Sequence, residues 1–376
     1  MEPLRVLSVM GTRPEAIKMC PLVRALQNEP RIQALVCATG QHREMLAQAM
    51  ALFDVKADWD LNVMQPGQTL TEVTTRVLSG METVIREAKP DLVLVHGDTT
   101  TSMAAGLAAF YAGVPVGHVE AGLRTKSIKS PFPEELNRRL TGRIAQLHFA
   151  PTARAAENLA REDVTEGVFI TGNTAIDALR YTVAPGYHFR EAALNALPEG
   201  ERWLLLTAHR REHWGEPLEQ ICRAARTLVD RFPDVRCLYP VHPNPVVQGT
   251  AQAVLGDHPR VTLLPPLDAT DMHNLLSRAT VVMTDSGGIQ EEGPALGVPV
   301  IVLREETERP EAIAAGGAVL AGYRTENIVR IAGALLGDES ARKAVRQQGS
   351  PFGDGHASEK IVAHILQNLR SAPSGD

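Results

Sequence analysis

Four cysteines in 376 residues, none of them in a C-x-x-C pair, provide no framework for disulfides and no zinc spacing. Cys20, Cys37, Cys222 and Cys237 lie in apolar or helical contexts, which predicts buried free thiols in a reducing compartment. Aromatic residues make up 4% of the chain and build no stacking platform for single-stranded nucleic acid. Excess positive charge is missing too: the net charge is −6, which argues against nucleic acid or an anionic membrane as the main partner. No apolar run reaches membrane-spanning length, and the opening MEPLRVLSVMGTRPE lacks the features of a signal peptide, so the protein is read as cytoplasmic. There is no short-period repeat, Walker loop, nucleophile elbow or kinase signature. The turn after the first strand has one glycine, Gly11, too few for the dinucleotide fingerprint, so a nicotinamide cofactor is disfavoured. His42, His96, His118 and His242 stand at or near strand ends without a partner at metal-ligand spacing. Neither metal nor cofactor is expected.

What is present is a chain long enough for two domains. Short apolar runs alternate with helix-period stretches from Val6–Met10 onward, loosen between Val183 and Glu201, and begin again at Trp203–Leu206. Two βα-alternating halves predict two doubly wound, Rossmann-like α/β domains facing across a cleft. The expected division is residues 1–175, residues 176–355, and a terminal helix within 356–376 that packs back on the first domain.

The densest chemistry lies between Val93 and Arg143. Two apolar runs, Asp91–Val95 and Val114–Val119, each stop at a carboxylate: Asp98 lies just after the first and Glu120 just after the second. A third acid, Glu134, follows Pro131-Phe132-Pro133 and opens a helix expected over Glu134–His148. In open parallel sheets, ligands bind outside the carboxyl ends of the strands. Three acids aimed at one crevice repel one another and lose solvation, so at least one carboxyl pKa should rise toward neutrality, where it can exchange protons. Any one of these acids alone would read as a helix cap or solvated loop residue.

Cationic and glycine-rich turns supply the other half of a site. Arg13 and Lys18 flank a strand-to-helix turn with Pro14 near the helix start, an anion-friendly arrangement. In the second half Ser286-Gly287-Gly288 is the best phosphate cradle, since glycines let backbone N–H groups approach a diphosphate. Glu291 and Glu292 follow within a turn, suited to a ribose diol, and Arg309 lies beyond the next strand. His209, Arg210 and Arg211 form a donor run at another strand end.

The segments GTRPEAIKMCPLV, TGQHREML, LVLVHGDTTT, GHVEAGLRT, SPFPEELNR, GNTAIDAL, TAHRRE, YPVHPNP, DSGGIQEE and TERPE, in this order, strongly resemble the non-hydrolysing UDP-N-acetylglucosamine 2-epimerases. The similarity runs from about Leu4 to the terminal helix. It implies the glycosyltransferase-B architecture, a cytoplasmic homodimer, and interconversion of UDP-GlcNAc with UDP-ManNAc for envelope or capsule polysaccharide. The implied mechanism is anti elimination of UDP to 2-acetamidoglucal, followed by re-addition with the proton returned to the other face of carbon 2. By motif, Asp98, Glu120 and Glu134 resemble the acid/base carboxylates, with His209 as a further candidate. Arg13, Lys18, His209, Ser286, Gly287, Gly288, Glu292 and Arg309 resemble the UDP-binding set. Arg138, four residues after Glu134, is placed to pair with that acid and tune it.

Some positions depart from the family pattern. His213 stands where members commonly have Asn, and Lys126 and Lys129 make a linker more basic than usual. A second, regulatory nucleotide site of some members matches at Gln41 and His42. It departs at Glu44 and at Gly67, which replaces an Arg, so activation by substrate is not expected. Two other classes share parts of the pattern: a glycosyltransferase of the same architecture and a UDP-sugar-binding protein. The acids of the first half and the lack of an evident acceptor groove favour the epimerase.

Overall fold

The computed structural model describes residues 2–40, 43–65 and 67–370. The chain forms two compact units, Met1–Tyr181 with Phe352–Asp376, and Thr182–Pro351. The first unit runs β1 (Leu4–Met10), α1 (Arg13–Gln27), β2 (Ile32–Ala38), α2 (Arg43–Leu52), β3 (Trp59–Asp60), α3 (Leu70–Ala88), β4 (Leu92–His96), α4 (Thr100–Tyr111), β5 (Val116–Val119), α5 (Glu134–Ile144), β6 (Leu147–Ala150), α6 (Ala153–Ala160), β7 (Val168–Ile170) and α7 (Thr174–Thr182). The second runs α8 (Ala192–Asn195), β8 (Arg202–Thr207), α9 (Glu216–Arg231), β9 (Val235–Pro240), α10 (Pro245–Leu255), β10 (Val261–Leu264), α11 (Ala269–Arg278), β11 (Val281–Thr284), α12 (Gly287–Ala295), β12 (Val300–Val302), α13 (Pro310–Ala314), β13 (Ala318–Leu320), α14 (Thr325–Gly337) and α15 (Glu339–Gln347). The final helix, α16 (Ala357–Arg370), belongs to the first unit and packs on α1.

Each unit holds one all-parallel sheet, ordered β3-β2-β1-β4-β5-β6-β7 in the first and β10-β9-β8-β11-β12-β13 in the second. The expected pair of Rossmann-like α/β units is therefore present. In both, the order reverses beside the unit's first strand, between β1 and β4 and between β8 and β11, where a doubly wound sheet opens its ligand crevice. Strands covered on both faces need unbroken apolar runs, and Leu92-Val93-Leu94-Val95 and Val281-Val282-Met283 are fully buried.

Helix placement follows from spacing and caps. On α3 the apolar residues Val73, Val77, Met81, Val84, Ile85 and Ala88 repeat at three- and four-residue intervals and bury one stripe. Thr69 and Glu72 close a capping box at its start, and Thr12 and Glu15 do the same for α1; each such cap contributes about 1 kcal/mol. Truncating Met81 to Ala would cost about 2–5 kcal/mol through the cavity left in this core. One expectation needs correction: the helix opened by Glu134 stops at Ile144 rather than His148. Leu147 to Phe149 are needed for the ladder with β5, where Gly117 pairs with Leu147, so Ala145 turns extended. Pro245 starts α10 at its first turn, where its missing N–H costs nothing.

Candidate active site

In the first unit the carboxyl ends of β1, β4 and β5 bring the predicted acids and bases together. Val119 ends β5 and Glu120 follows with φ of +62°, a left-handed conformation that costs a non-glycine residue about 1 kcal/mol. Gly122, at φ +88°, completes the turn: a Cβ there would lie 2.1 Å from the Ala155 carbonyl oxygen. The strained turn aims a buried Glu120 side chain at three groups. Lys18 Nζ donates to Oε1 at 2.5 Å, Asn173 Nδ2 donates to Oε1 at 3.0 Å, and His96 Nε2 lies 3.5 Å from Oε2. Burial holds the His96 imidazole below its ordinary pKa, which favours the neutral ring.

Asp98 sits two residues past β4, with its Oδ2 2.7 Å from Arg138 Nη2. Burial raises its carboxyl pKa to about 6; Arg138 and Lys18 pull it down, while Glu120 and Glu134 push it further up. Glu134 is thus within electrostatic reach of Asp98, on the first turn of α5, and is partly buried. Arg138 does not pair with Glu134 as predicted. Side chains on a helix lean toward its N-terminus, and Arg138 reaches Asp98 and, at 3.5 Å, Glu135 Oε2. Glu135 is fully buried and tied to Arg139 and the Thr125 N–H, which makes it a scaffold residue. Lys18, read as a diphosphate donor, has Glu120 as a partner here. Arg13, the first residue of α1, is partly buried on the same rim.

Several contributors were not singled out from sequence. Glu15 is buried and accepts from Gly11 N, Thr12 N, Thr99 Oγ1 and Ser102 Oγ, locking the β1 and β4 turns to each other. Asn137 Nδ2 donates to the Asp98 carbonyl. Asn173 follows β7 by three residues, and its place at a strand end inside GNTAIDAL was the available signal.

The second unit builds a different rim. Asp285 follows β11, is fully buried, and organises the His-Arg-Arg-Glu loop. Its Oδ2 accepts from His209 N, Arg210 N and the His213 ring at 2.8, 2.9 and 3.1 Å, and its Oδ1 lies 3.3 Å from His209 Nδ1. Burial alone would raise the Asp285 carboxyl; the His213 bond, the His209 charge and the two backbone donors outweigh it and hold it below the usual range. The departure His213 is therefore a buried clamp on Asp285. His209 itself is 42% exposed and stacks on His242 with ring centroids 5.6 Å apart.

Ser286 is the N-cap of α12 and makes no side-chain cap bond; Gly287 and Gly288 open the helix, where first-turn N–H groups have no partner within the helix and suit an anion. Arg309, at the N-cap of α13, is salt-bridged to the buried Glu291, which fixes the guanidinium beside that helix start. Glu292 Oε2 lies 3.7 Å from His273 Nε2. Arg13, Lys18, Asp98, Glu120, Glu134 and Arg138 are thus gathered on the first unit, and His209, Ser286, Gly287, Gly288, Glu292 and Arg309 on the second. Gln41, His42 and the Glu44 side chain lie outside the described residues. The four cysteines are buried and unpaired, with burial pushing the Cys20, Cys37 and Cys222 thiols up to about 12. Among the described residues no three His, Cys, Asp or Glu side chains converge to hold a metal ion, and no helix is long and apolar enough to cross a membrane.

Comparison with known proteins adds an independent line. The family model described as UDP-N-acetylglucosamine 2-epimerase matches residues 24–366. The UDP-N-acetylglucosamine 2-epimerase of Bacillus subtilis is 51% identical over 97% of this chain and 96% of its own, and that of Escherichia coli K12 is 48% identical over 97% and 99%. A crystal structure of the UDP-GlcNAc 2-epimerase of Neisseria meningitidis, bound to UDP-GlcNAc, superposes with a TM-score of 0.86 at 44% identity, covering 97% of this chain and 100% of that one.

Proposed function

Because the chain belongs to the UDP-N-acetylglucosamine 2-epimerase family, we propose that it interconverts UDP-GlcNAc and UDP-ManNAc by eliminating and re-adding UDP. The observation that carries this reading is the pair of acids at neighbouring strand ends. Burial raises the Asp98 carboxyl to about 6, and Glu120 is held by Lys18 and Asn173. Inversion at carbon 2 needs one group to take a proton from one face and another to return a proton to the opposite face. Two carboxylates in unlike surroundings suit that division.

Direct removal of the carbon 2 proton would leave a costly carbanion. In the proposed elimination the C–H electron pair instead forms the C1–C2 double bond as the C1–O bond to UDP breaks. A carboxylate takes the proton, and UDP departs with the bonding pair. The second half-reaction reverses these changes: a UDP phosphate oxygen re-forms its bond to C1, and a proton from the other acid adds to the opposite face of C2. In this reading the leaving diphosphate is held by the first-turn N–H groups of Gly287 and Gly288, by Arg309 and by His209. Donors preorganised for charge that develops during bond cleavage are where such a site lowers the barrier. Arg13 would add positive charge, and Glu134 would set the field at Asp98. The homodimeric, cytoplasmic state and the supply of envelope polysaccharide precursors belong to the same reading and rest on the family resemblance.

Incubation with UDP-GlcNAc in heavy water, without acceptor, tests it by NMR at carbon 2. UDP-ManNAc carrying deuterium at carbon 2 is expected. Unchanged substrate would sink the proposal, and free ManNAc with UDP would replace it with a hydrolysing activity.

A further inference from the structure

Asn173 performs two separable tasks with the two ends of one amide. Its Oδ1 accepts the Ala175 N–H at 3.0 Å, closing the first turn of α7, while its Nδ2 donates to Glu120 Oε1 at 3.0 Å. The side chain is 2% exposed, and the backbone on either side is pinned: Asn173 N donates to the Phe352 carbonyl at 2.7 Å, and a Cβ on Gly172 would lie 3.1 Å from that same oxygen. The amide thus approaches Glu120 from a direction fixed by three chain segments.

We infer that Asn173 is a positioning residue for Glu120, holding its carboxylate in the orientation from which it exchanges a proton with the sugar. This rests on the epimerase reading, with Glu120 as one of its acid/base groups. Glu120 emerges from a left-handed backbone, a conformation that persists only where its surroundings hold it. Lys18 and Asn173 both donate to Oε1, and the His96 ring lies 3.5 Å from Oε2. A donor to a carboxylate stabilises its charged form. Removing one should therefore leave a base that is less well aimed and harder to ionise. The charged and titratable groups facing Glu120 are Lys18 from α1, His96 at the end of β4, and Asp98 beyond it.

The split amide makes a clean test. Asn173→Asp keeps an oxygen for the Ala175 N–H, since Asp caps a helix as well as Asn does, but it turns the donor facing Glu120 into a negative oxygen. Asn173→Ser keeps a capping oxygen and removes the donor without adding charge. For Asn173→Ser we expect kcat to fall about tenfold, and for Asn173→Asp about a hundredfold, as loss of a hydrogen bond to a charged group implies. KM for UDP-GlcNAc should stay near wild type in both, and the melting temperature should do so in Asn173→Ser. The acidic limb of the kcat profile should move to higher pH in Asn173→Asp.

Wild-type kcat and an unshifted limb in either variant would overturn the inference, leaving Asn173 a helix cap. If Asn173→Asp does not fold, Asn173→Ser decides alone on kcat. Wild-type enzyme and Glu120→Gln are run beside them. A wild type that does not epimerise, or a fully active Glu120→Gln, would instead bring down the reading on which the inference stands.

Discussion

The Arg138 guanidinium lies 2.7 Å from the Asp98 carboxylate, joining the first turns of α5 to the end of β4. Burial drives the Asp98 carboxyl up, and Arg138 is the strongest of the groups drawing it back. Replacing Arg138 with Gln should let that carboxyl climb further. The acidic limb of the kcat/KM profile should move up with it. A pH–rate series on the variant checks this, and a limb that stays in place would detach Arg138 from the tuning of Asp98.

For the wild type, kcat/KM should fall about tenfold per pH unit below about 6, the value to which the Asp98 carboxyl is raised. Asp98→Asn should abolish that limb and most of the turnover while UDP-GlcNAc still binds by calorimetry. Stability should move the other way. A raised carboxyl pKa favours the protonated form in the fold. Its stabilising contribution is therefore complete below the ordinary carboxylate value and lost as pH rises through about 6. Asp98→Asn should accordingly be more stable than wild type at pH 8, by about 1 kcal/mol in urea unfolding.

Asp285→Asn keeps the shape of the buried side chain but gives up the charge that gathers the His209 and Arg210 N–H groups and the His213 ring. Hydrogen bonds to buried charge are worth about 1.5–3 kcal/mol each. Weaker UDP binding, lower kcat and a lower melting temperature are expected together. Unchanged UDP affinity would show that this loop arranges itself without Asp285.

Two buried histidines should make the fold acid-sensitive well above the carboxylate range. Burial lowers the His118 pKa to about 3 and the His148 pKa to about 4. Depressed imidazoles add stability above their ordinary value of about 6.5. That stability is lost as pH falls, because the unfolded chain then binds protons that the folded chain refuses. Urea midpoints should fall steadily from pH 6.5 to 4.5, and His118→Gln, whose amide can replace the donor to the Gly97 carbonyl, should flatten the slope.

The fold was legible because parallel strands buried on both faces must be apolar runs, and helices such as α3 and α11 carry both a stripe and a cap. Two-residue β3 and three-residue β13 carry no periodicity of their own, and only pairing with β2 and β12 makes them strands. Within the site, charged residues at strand ends stood out, but the neutral or buried members did not. Asn173 looks like a helix cap, and Asp285 like the flank of a glycine turn. Glu15 looks like half of a capping box, which it also is. Nor does spacing along α5 tell which acid Arg138 will choose, since Asp98 lies forty residues earlier and only the packing of α5 against α4 and β5 brings it near.

Asp177 of α7 accepts the Ala357 and Ser358 N–H groups and so supplies the missing cap of the last helix. The chain's final segment is therefore a structural part of the half that begins the chain. A genetic split into two consecutive fragments would strand it on the wrong piece. A stop codon before Ala357 would harm the acid-bearing unit while leaving the second unit's own sheet intact.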